Sequence, residues 1–188
     1  MFIIIDHLGM SKNNALKIGV LAIILGAAAY LALRQRQPHP LAIGEGAPDF
    51  TVPAFPSGSL GLGQYHQQVV VLNFWATWCE PCVEETPSLV KFAESVRPAG
   101  VAVVGVSEDQ DLAALEKFIQ QFHITYAIGR DPERTLAARF GTYQFPETYI
   151  LDRHGRIAEK LIGPADFDDP RLLSFVRELA HGSGSPEK

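Results

Sequence analysis

Cysteine is scarce in this 188-residue chain, which has only Cys79 and Cys82. Two cysteines cannot build a disulfide scaffold, and one Cys-x-x-Cys pair is half of the usual four-ligand structural zinc site. Redox chemistry is what remains for the pair, and no metal site is expected. An excess of positive charge is also missing. Sixteen Lys+Arg stand against 21 Asp+Glu, a formal net charge of -5, so nothing is available to neutralise a phosphate backbone and nucleic acid is not an expected partner. With 20% charged and 47% hydrophobic residues, the composition excludes a disordered chain and fits one folded domain plus a short extra segment.

What the chain does have is a long uncharged run. Ile18 to Leu33 (IGVLAIILGAAAYLAL) holds sixteen residues without charge, preceded by Lys12 and Lys17 and followed by Arg34 and Arg36. A spanning helix wants about 20 apolar residues, range ~17–25. The run reaches that length if Ala15 joins it and Lys17 snorkels to the interface. Ala27-Ala28-Ala29 would serve as a small-residue cleavage site, but the run continues through Tyr30 to Leu33, which favours an uncleaved signal anchor. No cysteine lies here, so a lipoprotein anchor is excluded. Flanking charge barely biases orientation; the N-terminal amine tips it toward N-in. The expected organisation is a 1–14 extension, in which Met10 opens the tidier start, a transmembrane anchor at 15–33, a Pro- and Gly-containing linker at 34–46, a folded domain at 47–181 and a flexible tail at 182–188.

Within the domain, strand and helix signals alternate. Phe50–Ala54 and Leu60–Leu62, split by Pro56-Ser57-Gly58, form a hairpin pattern, and Val69–Trp75 (VVVLNFW) is an apolar run of buried-strand type. A helix is expected from Cys79 to Val96, with Pro81 tolerated in its first turn. Val101–Val106 is a second buried strand, and Leu112, Leu115, Phe118, Ile119 and Phe122 fall at helical spacing as a core stripe. A strand at Tyr126–Ile128, a helix at Pro132–Phe140, strands at Thr148–Leu151 and Arg156–Ile162, and a helix at Arg171–Ala180 complete the pattern. Early βαβ alternation ending in a hairpin and a helix implies an α/β fold with a mixed sheet between helices.

The chemistry concentrates in Trp75-Ala76-Thr77-Trp78-Cys79-Glu80-Pro81-Cys82, where a buried strand gives way to a helix. A thiol at a helix N-terminus sits beside free N–H groups and the positive end of the macrodipole, which stabilises thiolate over thiol. Cys79 is the expected exposed nucleophile. Cys82, one turn on, is the resolving thiol that closes a disulfide and releases a mixed-disulfide intermediate. A static disulfide would stabilise little, because the loop it ties is so short. Glu80 has two readings. Its carboxylate beside Cys79 disfavours the thiolate and makes the pair a better reductant, or it completes a Thr-x-x-Glu capping box with Thr77.

These motifs resemble the thioredoxin superfamily, in which a proline before the third core strand is cis and faces the Cys-x-x-Cys. Pro146 matches that position in Gly141-Thr142-Tyr143-Gln144-Phe145-Pro146-Glu147-Thr148, and the resemblance implies that Phe145 offers strand-type hydrogen bonds to a docking peptide. Ala47-Pro48-Asp49-Phe50, Asn73-Phe74-Trp75-Ala76-Thr77-Trp78-Cys79 and the extra helix and strand between Val101 and Phe140 narrow the likeness to the TlpA/ResA/CcmG (DsbE) branch of membrane-anchored thiol-disulfide oxidoreductases. Glu80-Pro81 is most similar to the ResA type and Pro146-Glu147-Thr148 to the CcmG type. Thioredoxin itself has a buried aspartate where this chain has Asn73; in the ResA type a functional glutamate follows the second cysteine by three residues, and Glu85 stands there.

The implied fold is thioredoxin-like with an N-terminal β-hairpin and a central αβ insertion. The implied activity is reduction of protein disulfides on the extracytoplasmic (periplasmic) side of a cell membrane, with apocytochrome c as one substrate and a membrane electron donor of the DsbD or CcdA kind. No cofactor is needed, because the electrons travel in the Cys79–Cys82 pair. The expected site is Cys79, Cys82 and Glu85 for chemistry, with Trp78, Glu80, Pro81, Phe145 and Pro146 for substrate. Trp75 is read as core and Trp78 as a platform; His123 and His154 are read as surface residues, and a Sco-like copper chaperone wants three residues between its cysteines where this chain has two. The alternatives are a thiol peroxidase, although Ala76 stands where the peroxidatic Thr-x-x-Cys motif wants threonine, and a non-catalytic module that holds apocytochrome or haem.

Overall fold

The computed structural model describes residues 12–34 and 40–182. The extension before residue 12, linker residues 35–39 and the tail beyond residue 182 lie outside the described residues. The chain divides into two compact units, 1–38 and 39–188.

The first unit contains helix α1, Lys12–Arg34. Among the described residues no helix is long and apolar enough to cross a membrane. The expected helix is therefore present, but its uncharged run of 16 residues falls below the usual spanning length of ~17–25.

The second unit is built on strands β1 (Thr51–Phe55), β2 (Ser59–Gly61), β3 (Val69–Trp75), β4 (Val101–Ser107), β5 (Ala127–Arg130), β6 (Glu147–Leu151) and β7 (Ile157–Ile162). They form one sheet in the order β2-β1-β5-β4-β3-β6-β7. β3, β4 and β5 are mutually parallel, whereas β1 on β5, β6 on β3 and β7 on β6 are antiparallel. All seven residues of β3 are buried, as a strand covered on both faces requires. Helices α2 (Glu80–Val96), α3 (Leu112–Phe122), α4 (Thr135–Phe140) and α5 (Pro170–His181) supply that cover.

Alternation along β3 sorts its side chains between two cores. Val70, Leu72 and Phe74 pack with Phe140 of α4, Tyr149 of β6 and the hairpin residues Phe50, Val52 and Leu60. Val69 and Val71 pack with Leu89, Phe92 and Val96 of α2 and Val176 and Leu179 of α5. Full burial of a Leu or Phe side chain contributes ~1.5–3 kcal/mol, so these layers hold the strand in register. A third cluster, Trp75, Leu115, Phe118 and Ile128 around Cys79 and Cys82, caps the carboxyl end.

Three sequence expectations are corrected. The helix expected from Pro132 begins at Thr135, because Arg134 is left-handed (φ 56°) and the Asp131 carboxylate accepts the amides of Thr135, Leu136 and Ala137. The strand expected at Tyr126–Ile128 runs over Ala127–Arg130, paired to Val104–Ser107. Leu112, placed in the core stripe, is 49% exposed at the first turn of α3, whereas Leu115 and Phe118 are buried.

Gly105 is one of the positions where a side chain has no room. A Cβ there would meet Trp75 Nε1 at 2.7 Å, Ile128 Cδ1 at 2.9 Å and Tyr126 Cε2 at 3.1 Å. Trp75 thus lies against the bare backbone of the neighbouring strand. Gly105→Ala is expected to destabilise the domain by about 1–3 kcal/mol, read as a lower urea midpoint with unchanged slope; an unchanged midpoint would show that Trp75 repacks freely.

Candidate active site

β3 ends at Trp75, and the chain turns into α2 through Ala76-Thr77-Trp78-Cys79. The turn is pinned from the next strand: the Glu108 amide donates to the Trp75 carbonyl at 3.0 Å, and the Asp109 carboxylate accepts the Thr77 amide at 3.0 Å and its hydroxyl at 2.6 Å. Thr77 is therefore occupied by Asp109 and does not cap α2, which removes the capping-box reading of Glu80. The N-cap is Cys79 itself, and its Sγ accepts the Cys82 amide at 3.3 Å. That N–H is one of the free first-turn donors that favour a thiolate on reduction. Cys79 and Cys82 form a disulfide with Cα atoms 5.2 Å apart.

Cys79 is less exposed than the sequence suggests. It is 6% exposed and Cys82 1%, so the outer position of Cys79 is relative, with Trp78 and Phe145 sheltering it. Trp78 is 57% exposed and meets the Phe145 ring edge-on at 6.0 Å. Arg134 lies over both rings, 5.4 Å from Trp78 and 5.5 Å from Phe145. Glu80 and Pro81 face solvent in the first turn, and Pro146 is buried behind a cis Phe145–Pro146 peptide bond. A second cis bond, Phe55–Pro56, sits in the β1–β2 turn. Trp75 is 2% exposed, as the core reading expects, and His123 and His154 are at the surface.

Beneath the dithiol lies a buried polar network. Asn73 of β3 donates from Nδ2 to Glu85 Oε1 at 3.0 Å and to Thr148 Oγ1 at 2.9 Å, and Glu85 Oε2 accepts the Ala165 amide at 2.9 Å. Glu85 is 5% exposed. Burial pushes its carboxyl up to about 7, against the pull of the Ala165 amide and the Asn73 side chain. On the opposite sheet face Glu147 is fully buried and accepts from Lys160 Nζ at 2.7 Å and from the Tyr149 hydroxyl at 2.6 Å. Among the described residues no group of three or more His, Cys, Asp or Glu side chains is placed to hold a metal ion.

The structure thus brings Trp78, Cys79, Cys82, Phe145 and Pro146 together at one end of the sheet, with Glu85 below and Glu80 and Pro81 on the outer rim. Arg134, Glu108, Asp109 and Thr148 were not anticipated as site residues. One sequence signal bore on Glu108 and Asp109: they directly follow a buried parallel strand, and ligands of open α/β sheets gather at carboxyl ends.

Residues 43–160 match the model of the AhpC/TSA family. The chain belongs to the AhpC/TSA family. It is 27% identical over 157 residues to the thiol-disulfide oxidoreductase ResA of Bacillus thuringiensis, covering 82% of this chain and 91% of that one. To the thiol:disulfide interchange protein DsbE of Pseudomonas aeruginosa it is 33% identical over 127 residues, 66% of this chain and 68% of that protein. Among solved structures, a Chlorobium tepidum chain assigned as a thiol:disulfide interchange protein DsbE superposes with a TM-score of 0.69 at 26% identity, covering 74% of this chain and 99% of that one. The thioredoxin-like fold and the Cys79–Cys82 disulfide accordingly make this AhpC/TSA member a thiol-disulfide oxidoreductase of the ResA and DsbE type.

In the reduced protein Cys79 is expected to alkylate faster than Cys82, because its sulfur faces the helix N-terminus and the rim while Cys82 lies within the cluster. Mass spectrometry after a limiting iodoacetamide pulse checks the order, and prior labelling of Cys82 would reverse the two roles.

Proposed function

We propose that this oxidoreductase is a disulfide reductase tethered to a membrane and facing the extracytoplasmic side, with polypeptide disulfides such as that of apocytochrome c as substrates. The observation that supports reduction most directly is Glu85, a buried carboxyl one helical turn beyond Cys82 with its affinity for a proton raised to about 7. Cys79 thiolate attacks one sulfur of the substrate disulfide, and the departing substrate thiolate takes up a proton. Cys82 then passes its proton to the Glu85 carboxylate and attacks the Cys79 sulfur, releasing the second substrate sulfur as a thiolate that takes up a proton from water, while Glu85 later returns its own proton to solvent. Two electrons have moved to the substrate, and the Cys79–Cys82 disulfide is the oxidised product. A membrane donor of the DsbD or CcdA kind would return the pair to the dithiol, and no separate cofactor enters the cycle. The half-buried Phe145, next to the buried Pro146 and packed against Trp78, offers the backbone edge on which an extended substrate segment pairs.

Glu85 accepts a proton only as carboxylate, which predominates above about 7, so the rate of resolution rises with pH through that value. Glu85→Gln is expected to slow resolution of a preformed Cys79 mixed disulfide by about 10²-fold and to remove that limb of the profile, while initial attack by Cys79 changes less. Stopped-flow kinetics across pH decide it; an unaltered rate and profile would leave Glu85 a purely structural anchor. Cys82→Ser, which halts the cycle at the mixed disulfide, allows the trapped substrate to be identified from cells.

The tether is read from the uncharged segment Ile18–Leu33, lengthened to membrane thickness by Ala15 and the aliphatic stem of Lys17. The mature chain is expected to sediment with membranes, to resist alkaline carbonate and to yield its domain to protease added from outside the cytoplasm. Recovery of a soluble form starting near Tyr30 would establish cleavage instead.

A further inference from the structure

A hollow of about 680 Å³ opens beside Trp78, the residue before the nucleophile. Its walls carry four acidic side chains, Glu108, Asp109, Asp111 and Glu133, against one cation, Arg134. The fold itself employs two of the acids: Asp109 accepts from Thr77 and from the Ser107 hydroxyl, and Asp111 caps α3 by accepting the Ala113 and Ala114 amides. Glu108 is different. It is 2% exposed, and neither carboxyl oxygen has a hydrogen-bond partner. A buried carboxyl left in this state is costly to the fold, and no hydrogen bond within the domain compensates it. Arg134 is not that partner, since its guanidinium lies over the Trp78 and Phe145 rings at the mouth. A metal ion is not the missing group either, because among the described residues no cluster suits one.

We infer that this hollow is a subsite for one cationic side chain, lysine or arginine, carried by the substrate polypeptide close to the cysteine that Cys79 attacks. The inference rests on the reductase reading and names the substrate feature it selects. The volume is in the ~300–1,000 Å³ range of ligand pockets, and Thr77 and Trp78 in its wall place it beside the turn that leads into Cys79. Burial first, then Asp131, holds the Glu108 carboxyl at about 8, with Arg134 opposing and Asp109 adding to the rise. Glu108 is thus mostly neutral in the empty hollow at neutral pH. An arriving ammonium or guanidinium stabilises the carboxylate, so Glu108 gives its proton to solvent as the cation binds and the pair is left neutral overall. Arg134 keeps its place over the two rings.

The test uses the full chain in detergent as the Cys79→Ser/Cys82→Ser variant, which cannot exchange disulfides. Calorimetry compares blocked disulfide-bridged peptides that carry one lysine, or one norleucine in its place, scanned through the residues on both sides of the first cysteine. Lysine at one position or more is expected to bind about fivefold or more tighter than norleucine. Heats in buffers of different ionisation enthalpy should show most of one proton released per peptide at about pH 7. Adding Glu108→Gln should abolish both the preference and the proton release, and Glu133→Gln, an exposed change, should weaken the preference in part. A lysine preference below about fivefold at every position, or one that survives Glu108→Gln in a chain whose melting shows it folded, overturns the subsite. Turnover of the same peptides by the unmodified chain is measured in parallel. Turnover without lysine preference sinks the subsite and spares the reductase; preference without turnover does the opposite.

Discussion

The carboxyl of Glu85 is the tie on which the site depends. It is reached by the Asn73 amide from β3, which also holds Thr148 of β6, and by the Ala165 amide from the segment that follows β7. Two separate stretches of chain therefore reach this one buried group in the helix that carries the cysteines, and a third joins through Asn73. The Gly163 amide, just before that segment's contact, donates to the Pro146 carbonyl at 2.9 Å, so the same connection that steadies Glu85 also steadies the cis proline that follows Phe145. A buried network of this sort gives rigidity only while every member is paired. Here all of its members have partners, and the helix that carries the cysteines is fixed to β3 and to the segment after β7 by hydrogen bonds as well as by apolar packing.

Three glutamate carboxyl groups are buried at this end of the sheet, Glu85, Glu147 and Glu108, and the domain handles each differently. Glu85 is solvated by amides, Glu147 by an ammonium and a phenol, and Glu108 by no hydrogen-bond donor in the domain. These are three degrees of compensation for the same desolvation. The least compensated is the one that borders open space beside Trp78, which is why it is the group on which a partner has most to offer.

Much of this was legible in the sequence. The apolar runs Val69–Trp75 and Val101–Val106 admit little but buried parallel strands, and Cys-x-x-Cys at the strand-to-helix junction locates the reacting sulfurs. Glu85 and Pro146 were singled out by the resemblance to thioredoxin-like oxidoreductases, and the structure buries both and makes the Phe145–Pro146 bond cis. The failures share a cause. The start of α4 depends on Asp131 reaching forward to three amides and one hydroxyl, and the apparent Thr77–Glu80 box dissolves because Asp109, 32 residues on, takes Thr77. Local patterns were overridden by side chains distant or unexpected in sequence, and the acidic hollow is assembled wholly from such juxtapositions.

The outer margin of the sheet has a consequence of a different kind. β7 is an edge strand, and an exposed edge invites pairing with a second copy. Here the segment around Gly44 and Glu45 already occupies the hydrogen bonds of Ile157. The Lys160 amide is taken by the Glu159 carboxylate at 2.9 Å, while the Lys160 side chain turns inward to Glu147. One end of this margin is sheathed, and farther along it a carboxylate stands where another strand's carbonyl would have to come. A second strand could join this edge only by first displacing the Glu159 carboxylate, so the margin resists casual pairing without any proline to guard it.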